Sequence, residues 1–207
     1  MKVTSVLNHK GGVGKSTIAT NIAGCYANRG HGVLLGDFDI QQSSRNWLNL
    51  RPENAVHIGT WEIEDGKLVT PPENTSHIIV DSPAGLSADS LRHLVSISDK
   101  IITPVKPGIF DMLSTEVFLR EIIEVINDTD KEIDICIVGN MVDPRTKSCE
   151  QLQKFIESLG IYCPTYIQQG QLYVHLAAHG LSIFDSKSNV FEKQTEQWQP
   201  LIQWLDA

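Results

Sequence analysis

The chain has 207 residues, 41% of them hydrophobic, with 25 acidic against 17 basic side chains and a net charge of −8. That suffices for the core of one domain spanning 1–207, and no apolar run approaches the 18 residues that a membrane-crossing helix needs. Cys25, Cys136, Cys149 and Cys163 stand singly without zinc spacing, and the apolar segment near Met1 is too short for a signal peptide, so a reducing cytoplasm is the expected location.

In chain order, an apolar run at 3–7 predicts a first strand and 16–28 predicts a helix, with NHKGGVGKST (8–17) between them. A glycine-rich turn between strand and helix is the setting of a phosphate-binding loop. Gly11, Gly12 and Gly14 offer backbone angles closed to other residues, so successive N–H groups, that of Val13 included, turn inward around a polyphosphate. Lys15 is placed to reach the β- and γ-phosphates at the positive end of the helix, Ser16 to ligate Mg²⁺ through its hydroxyl, and Thr17 to meet the α-phosphate.

Further short β-branched runs fall at 31–37, 78–81, 101–105, 133–138 and 161–166, and helical stretches at 43–50, 88–96, 112–126, 149–159, 172–178 and 190–205. Such alternation predicts an α/β fold: a mainly parallel sheet, its strands buried on both faces, with helices on both sides and ligands beyond the carboxyl ends of the strands. Candidate chemistry gathers at those ends. Asp37 and Asp39 in GDFDIQQ lie two residues apart and face the same way, and Asp81 closes the run HIIVD before Ser-Pro-Ala-Gly. Asn140 follows another strand.

KGGVGKS has His9 where the general phosphate-loop pattern needs glycine, and it resembles the deviant Walker A motif of the ParA/MinD family of ATPases, a single-domain P-loop NTPase fold. The resemblance spans nearly the whole chain, with specific motifs at 8–17, 36–42 and 78–85. It implies ATP and Mg²⁺ as ligands, with Lys10 reaching the nucleotide of a partner subunit. It gives Asp39 the role of orienting the attacking water, although Ile40 replaces the usual proline. Asp37 and Asp81 fall near the metal, and Asn140 against adenine, with a lid over the base implied at 168–171. TPVKPGIFD (103–111) is similar to a segment near the dimer interface, where Asp111 would pair with a lysine. The short ends of the chain are similar to short plasmid-type, ParF-like members.

The implied function is a homodimerising partition or positioning switch, its hydrolysis stimulated by a ParB-like or equivalent partner protein. A small-molecule ligase or kinase-like enzyme of the same fold and a MinD-like membrane-associated ATPase are the alternatives. A cluster-binding relative of nitrogenase iron protein is excluded, because no cysteine lies between Asp81 and Lys100. Nonspecific DNA is a candidate ligand through Arg145, Lys147, Lys154, Lys187 and Lys193. Membrane binding is not expected: Trp198, Leu201, Ile202 and Leu205 make a helical stripe, but 194–207 holds no lysine or arginine.

Overall fold

The computed structural model describes residues 1–64, 67–186 and 191–207. Strand and helix alternate from the start: β1 (Lys2–Val6), α1 (Lys15–Asn28), β2 (Val33–Asp37), α2 (Ser43–Leu50) and β3 (Gly59–Trp61). A two-stranded antiparallel ribbon, β4 (Ile63–Glu64) and β5 (Lys67–Leu68), precedes β6 (His77–Asp81), α3 (Ala88–Ile97), β7 (Lys100–Val105) and α4 (Ile109–Asn127). The chain continues through β8 (Asp134–Val142), α5 (Lys147–Leu159), β9 (Thr165–Gln168), α6 (Gln171–Ala177) and α7 (Glu192–Asp206). Seven strands form one parallel sheet in the order β3-β2-β6-β1-β7-β8-β9.

The long strands read as continuous apolar runs because alternate residues enter two different cores. Val6, Ile79, Ile102, Cys136 and Val138 pack with Ile18, Ile22 and Tyr26 of α1, Trp47 of α2 and Trp198 of α7. Val3, Ile78, Val80 and Ile101 face the other way, against Leu91 and Leu94 of α3 and Phe118 and Ile122 of α4. A third cluster joins Ile137 and Val142 to Met112 and Leu119 of α4 and to Leu152 and Ile156 of α5. The C-terminal stripe is therefore core: Trp198, Leu201, Ile202 and Leu205 are all buried in α7.

Three differences from the sequence-based expectation have physical reasons. The strand expected at 161–166 lies at Thr165–Gln168, since Pro164 has no N–H to give a ladder. β3 was not predicted; it has three residues at the sheet's edge, too few for a hydrophobic run. β8 runs to Val142, past the expected end at 138, because its ladder with β9 continues to Val142 and Gln168, so Asn140 lies inside the strand rather than after it. The expected start of the last helix at Val190 lies outside the described residues, where the helix is seen from Glu192.

Candidate functional site

β1 and β6 are neighbours in the sheet, yet the chain leaves β1 towards β2 on one side and leaves β6 towards β7 on the other. A crevice opens at such a switch point. Register aligns its walls: Asp81 pairs with Val6 on one side and with Asp37 on the other, so the loops after three strands open at one level.

The loop after β1 is pinned at both ends. Asn8 is fully buried and gives its amide to the Pro104 carbonyl (2.8 Å) and to Thr115 (3.1 Å), while its own oxygen accepts the Lys10 N–H (2.9 Å). Gly85 donates to the His9 carbonyl (2.9 Å), which docks the Ser-Pro-Ala-Gly segment on the loop. Gly12 and Gly14 take positive φ (73° and 92°), as expected. Gly11 does not, and a Cβ there would meet Ala84 at an ordinary 3.8 Å; conformational freedom is needed at two of the three positions. α1 starts directly from Gly14 with no acid in its first turn, which leaves its positive end open to an anion.

Lys15 is buried and donates to the Lys10 carbonyl at 3.0 Å. Burial pulls its ammonium below the ordinary value, opposed by the charges of Asp81 and Asp39. Lys10 points elsewhere: it shares Asp111 with Lys106, at 3.7 and 3.8 Å, so two ammoniums meet one carboxylate at the rim. The expected pairing of Asp111 is present, with two lysines rather than one.

The carboxylates differ in how they are satisfied. Asp37 accepts from the Asp39 N–H (2.9 Å) and the Arg45 N–H (3.0 Å), fixing the turn that leads into α2. Asp39 accepts from the Gln41 N–H (2.9 Å). Asp81 is 1% exposed with neither oxygen hydrogen-bonded, and burial pushes it up to about 7. The hydroxyls of Ser16 and Ser44 lie close enough to counter that rise, and the charge of Asp37 adds to it. Two bare, buried acceptor oxygens beside the Ser16 hydroxyl fit a hard cation completed by phosphate and water. No cluster of three or more His, Cys, Asp or Glu that could hold a metal ion exists among the described residues.

On the other side of the loop, a mainly apolar cavity of about 310 Å³ opens between α1 and α6, lined by Thr17, Asn140, Met141, Ile167 and Tyr173 among others. Residues 168–171 contribute to its wall, where the lid was expected. Asn140 is 3% exposed and gives one amide hydrogen to the Val13 carbonyl (2.7 Å). The site thus gathers Lys15, Ser16, Asp39 and Asp81 around the loop, with Asn140 against its flank and Lys10 outside.

Sequence reasoning missed Asn8, Ser44 and Met141; a polar residue ending an apolar strand was the only signal, and it belonged to Asn8. Of the candidate DNA contacts, Arg145 is tied to Asp143 by Nε and an Nη (2.9 and 2.8 Å), and Lys187 lies outside the described residues. No helix among the described residues is long and apolar enough to cross a membrane.

A family model, the CobQ/CobB/MinD/ParA nucleotide binding domain, matches residues 4–183. "Maintenance of carboxysome distribution protein A" of Halothiobacillus neapolitanus is 29% identical over 188 residues, covering 87% of this chain and 85% of that protein. Among solved structures, the MinC:MinD cell division protein complex of Aquifex aeolicus aligns with a TM-score of 0.73 at 18% identity, covering 98% of this chain and 96% of that one. An ATP complex of a McdA variant from Cyanothece gives 0.71 at 14%, covering 97% and 96%. At these identities the structural likeness speaks for the fold.

Proposed function

This chain belongs to the CobQ/CobB/MinD/ParA nucleotide-binding family, and from that premise we propose that it is an ATPase working as a dimerising switch that partitions or positions an intracellular cargo. The observation that carries this reading is the unequal fate of two lysines in one loop. Lys15 turns inward and is 7% exposed, whereas the Lys10 side chain lies at the rim, 36% exposed, beside a carboxylate that a second lysine also holds. On this reading one ammonium serves its own nucleotide and the other a neighbour's.

Each residue then has a role. The N–H groups of Gly11 to Thr17 and the start of α1 cradle the triphosphate, and Lys15 exchanges the Lys10 carbonyl for phosphate oxygen. Ser16 and Asp81 would hold Mg²⁺, which supplies charge neutralisation at the γ-phosphate; Asp37 shapes the turn behind them. Asp39 orients the attacking water. The adenine occupies the cavity beside Asn140, whose remaining N–H and free oxygen match its N7 and N6. Hydrolysis releases the Ser-Pro-Ala-Gly segment that Gly85 docks on the loop, and with it the dimer.

The setting is cytoplasmic, the stimulus a partner protein, and nonspecific DNA a ligand of the dimer through Lys147, Lys154 and Lys193. The relative in Halothiobacillus neapolitanus is named for carboxysome distribution, so the cargo class is a body to be spaced within the cell. Sedimentation with ATP, ADP and no nucleotide tests the switch: dimers are expected with ATP alone. A hydrolysis-blocked chain that binds ATP and still sediments as a monomer at high concentration would end this reading.

A further inference from the structure

The pairing of β8 with β9 shifts register between Gly139 and Val142. Inside that irregularity Met141 has φ 54°, a left-handed conformation that L side chains rarely adopt and that clusters at functional sites. The consequence is lateral. Asn140 reaches sideways to the Val13 carbonyl, 127 residues away in the chain. The Met141 side chain lies over the same spot: a Cβ added to Gly14 would fall 2.1 Å from Asn140 Nδ2 and 3.3 Å from Met141 Cε.

The bond between Val13 and Gly14 is trans, because the described chain has no cis peptide. A planar trans peptide holds its C=O and the following N–H on opposite sides. Drawing the Val13 carbonyl outward to Asn140 therefore turns the Gly14 N–H the other way, into the loop. We infer that Asn140 is a positioning residue for the phosphate loop: it locks the Val13–Gly14 peptide so that the Gly14 N–H meets the triphosphate, independently of any contact with the base. This rests on the nucleotide reading proposed above and extends it, since a residue expected only to read adenine then governs phosphate affinity.

The decisive probe is a ligand without a base. Inorganic tripolyphosphate with Mg²⁺ and ATP with Mg²⁺ are titrated by calorimetry against the unmodified chain and Asn140→Ala, with melting followed in parallel. Asn140→Ala should weaken tripolyphosphate about tenfold or more, as expected for loss of a buried hydrogen bond, and ATP by at least as much, since ATP also loses the base contact. Weakening of ATP alone makes Asn140 a base reader and overturns the proposal. So does a lower melting temperature with unchanged tripolyphosphate affinity, which marks a structural peg.

Should Asn140→Ala not fold, the unmodified protein decides by amide NMR. Mg²⁺-tripolyphosphate should shift the Gly14 amide and slow its exchange while the Asn140 side-chain amide stays protected. An Asn140 amide released when ATP binds overturns the proposal. An unmodified chain that takes up neither ligand refutes the nucleotide reading itself, a result distinct from any of these.

Discussion

At the amino ends of the strands, polar groups are paired. Tyr26 gives its hydroxyl to Asp206 (3.0 Å), which Arg29 also braces (2.9 Å); Asp99 accepts the Val3 N–H (2.7 Å) and meets Lys131 (2.8 Å). Lys100 is shared between Asp134 (3.1 Å) and the Trp204 carbonyl (2.8 Å). At the carboxyl ends of the same strands, the buried oxygens of Asp81 have only the hydroxyls of Ser16 and Ser44 nearby and no well-formed hydrogen bond, the Thr103 hydroxyl is buried without a partner, and Lys15 rests on a carbonyl of its own loop. Buried polar groups without partners destabilise a fold, so their concentration at one edge marks where a ligand completes the structure. The contrast separates the end that keeps the chain folded from the end kept for nucleotide.

The sharpest way to break that contrast is Lys15→Ala. Removing a buried ammonium from a polyphosphate should cost about 3–5 kcal/mol, roughly two to four orders of magnitude in ATP affinity. Calorimetry should show little or no ATP binding, while the melting temperature without nucleotide changes little. A variant that binds ATP as the parent does would remove Lys15 from the site.

Asp39→Ala comes next, and it acts on rate rather than on affinity. It should abolish turnover, followed as phosphate release, while ATP-dependent dimers persist in sedimentation. Lys10→Ala should do the complementary thing, lowering dimer-dependent turnover more than monomer affinity. The reverse pattern would place Lys10 in its own subunit's site.

Asp81→Asn should move stability and function in opposite directions. Replacing a buried carboxylate that only two hydroxyls face with a neutral amide should stabilise the nucleotide-free chain by about 1–3 kcal/mol, or roughly 2–12 °C in melting temperature. The same change should remove most of the Mg²⁺ dependence of ATP affinity. A lower melting temperature would show Asp81 to be part of the paired framework.

How much of this could be read in advance depended on distance along the chain. β1, β2, β6, β7 and β8 were legible because burial on both faces writes an uninterrupted apolar run, and the loop was legible because its glycines, lysines and serine are consecutive. β3 and the ribbon were not, being two or three residues long. Asn140 was expected just beyond a strand ending at 138 but lies inside β8, which runs on to Val142, and its bond to Val13 depends on a register shift that no local pattern encodes. That Asp81 is buried with only two hydroxyls beside it is likewise a property of what surrounds it. The unequal need for glycine at Gly11 and Gly14 follows from φ and from the nearness of Asn140, neither visible in the letters GGVG.

The smallest expected effect belongs to the amino end. His77 stacks on Tyr26 at 3.8 Å with His31 edge-on at 4.9 Å, and burial, aided by the neighbouring charge of His31, pulls it down to about 4. Lys2 and the amino terminus act in the same direction, and Asp206 opposes them. With the folded value below the unfolded 6.5, the unfolded chain binds the extra proton between pH 6.5 and about 4. The contribution of neutral His77 is then complete above pH 6.5 and is lost as pH falls through that window, with an amplitude reduced by its partial exposure to solvent. His77→Phe keeps an aromatic ring against Tyr26 and removes the titration. Urea midpoints at pH 7.5 and 4.5 should therefore lie closer together in the variant, with ATP affinity at pH 7.5 unchanged. Midpoints that fall in parallel would take His77 out of the acid response, and a change in ATP affinity would mean that the two ends of the sheet are coupled.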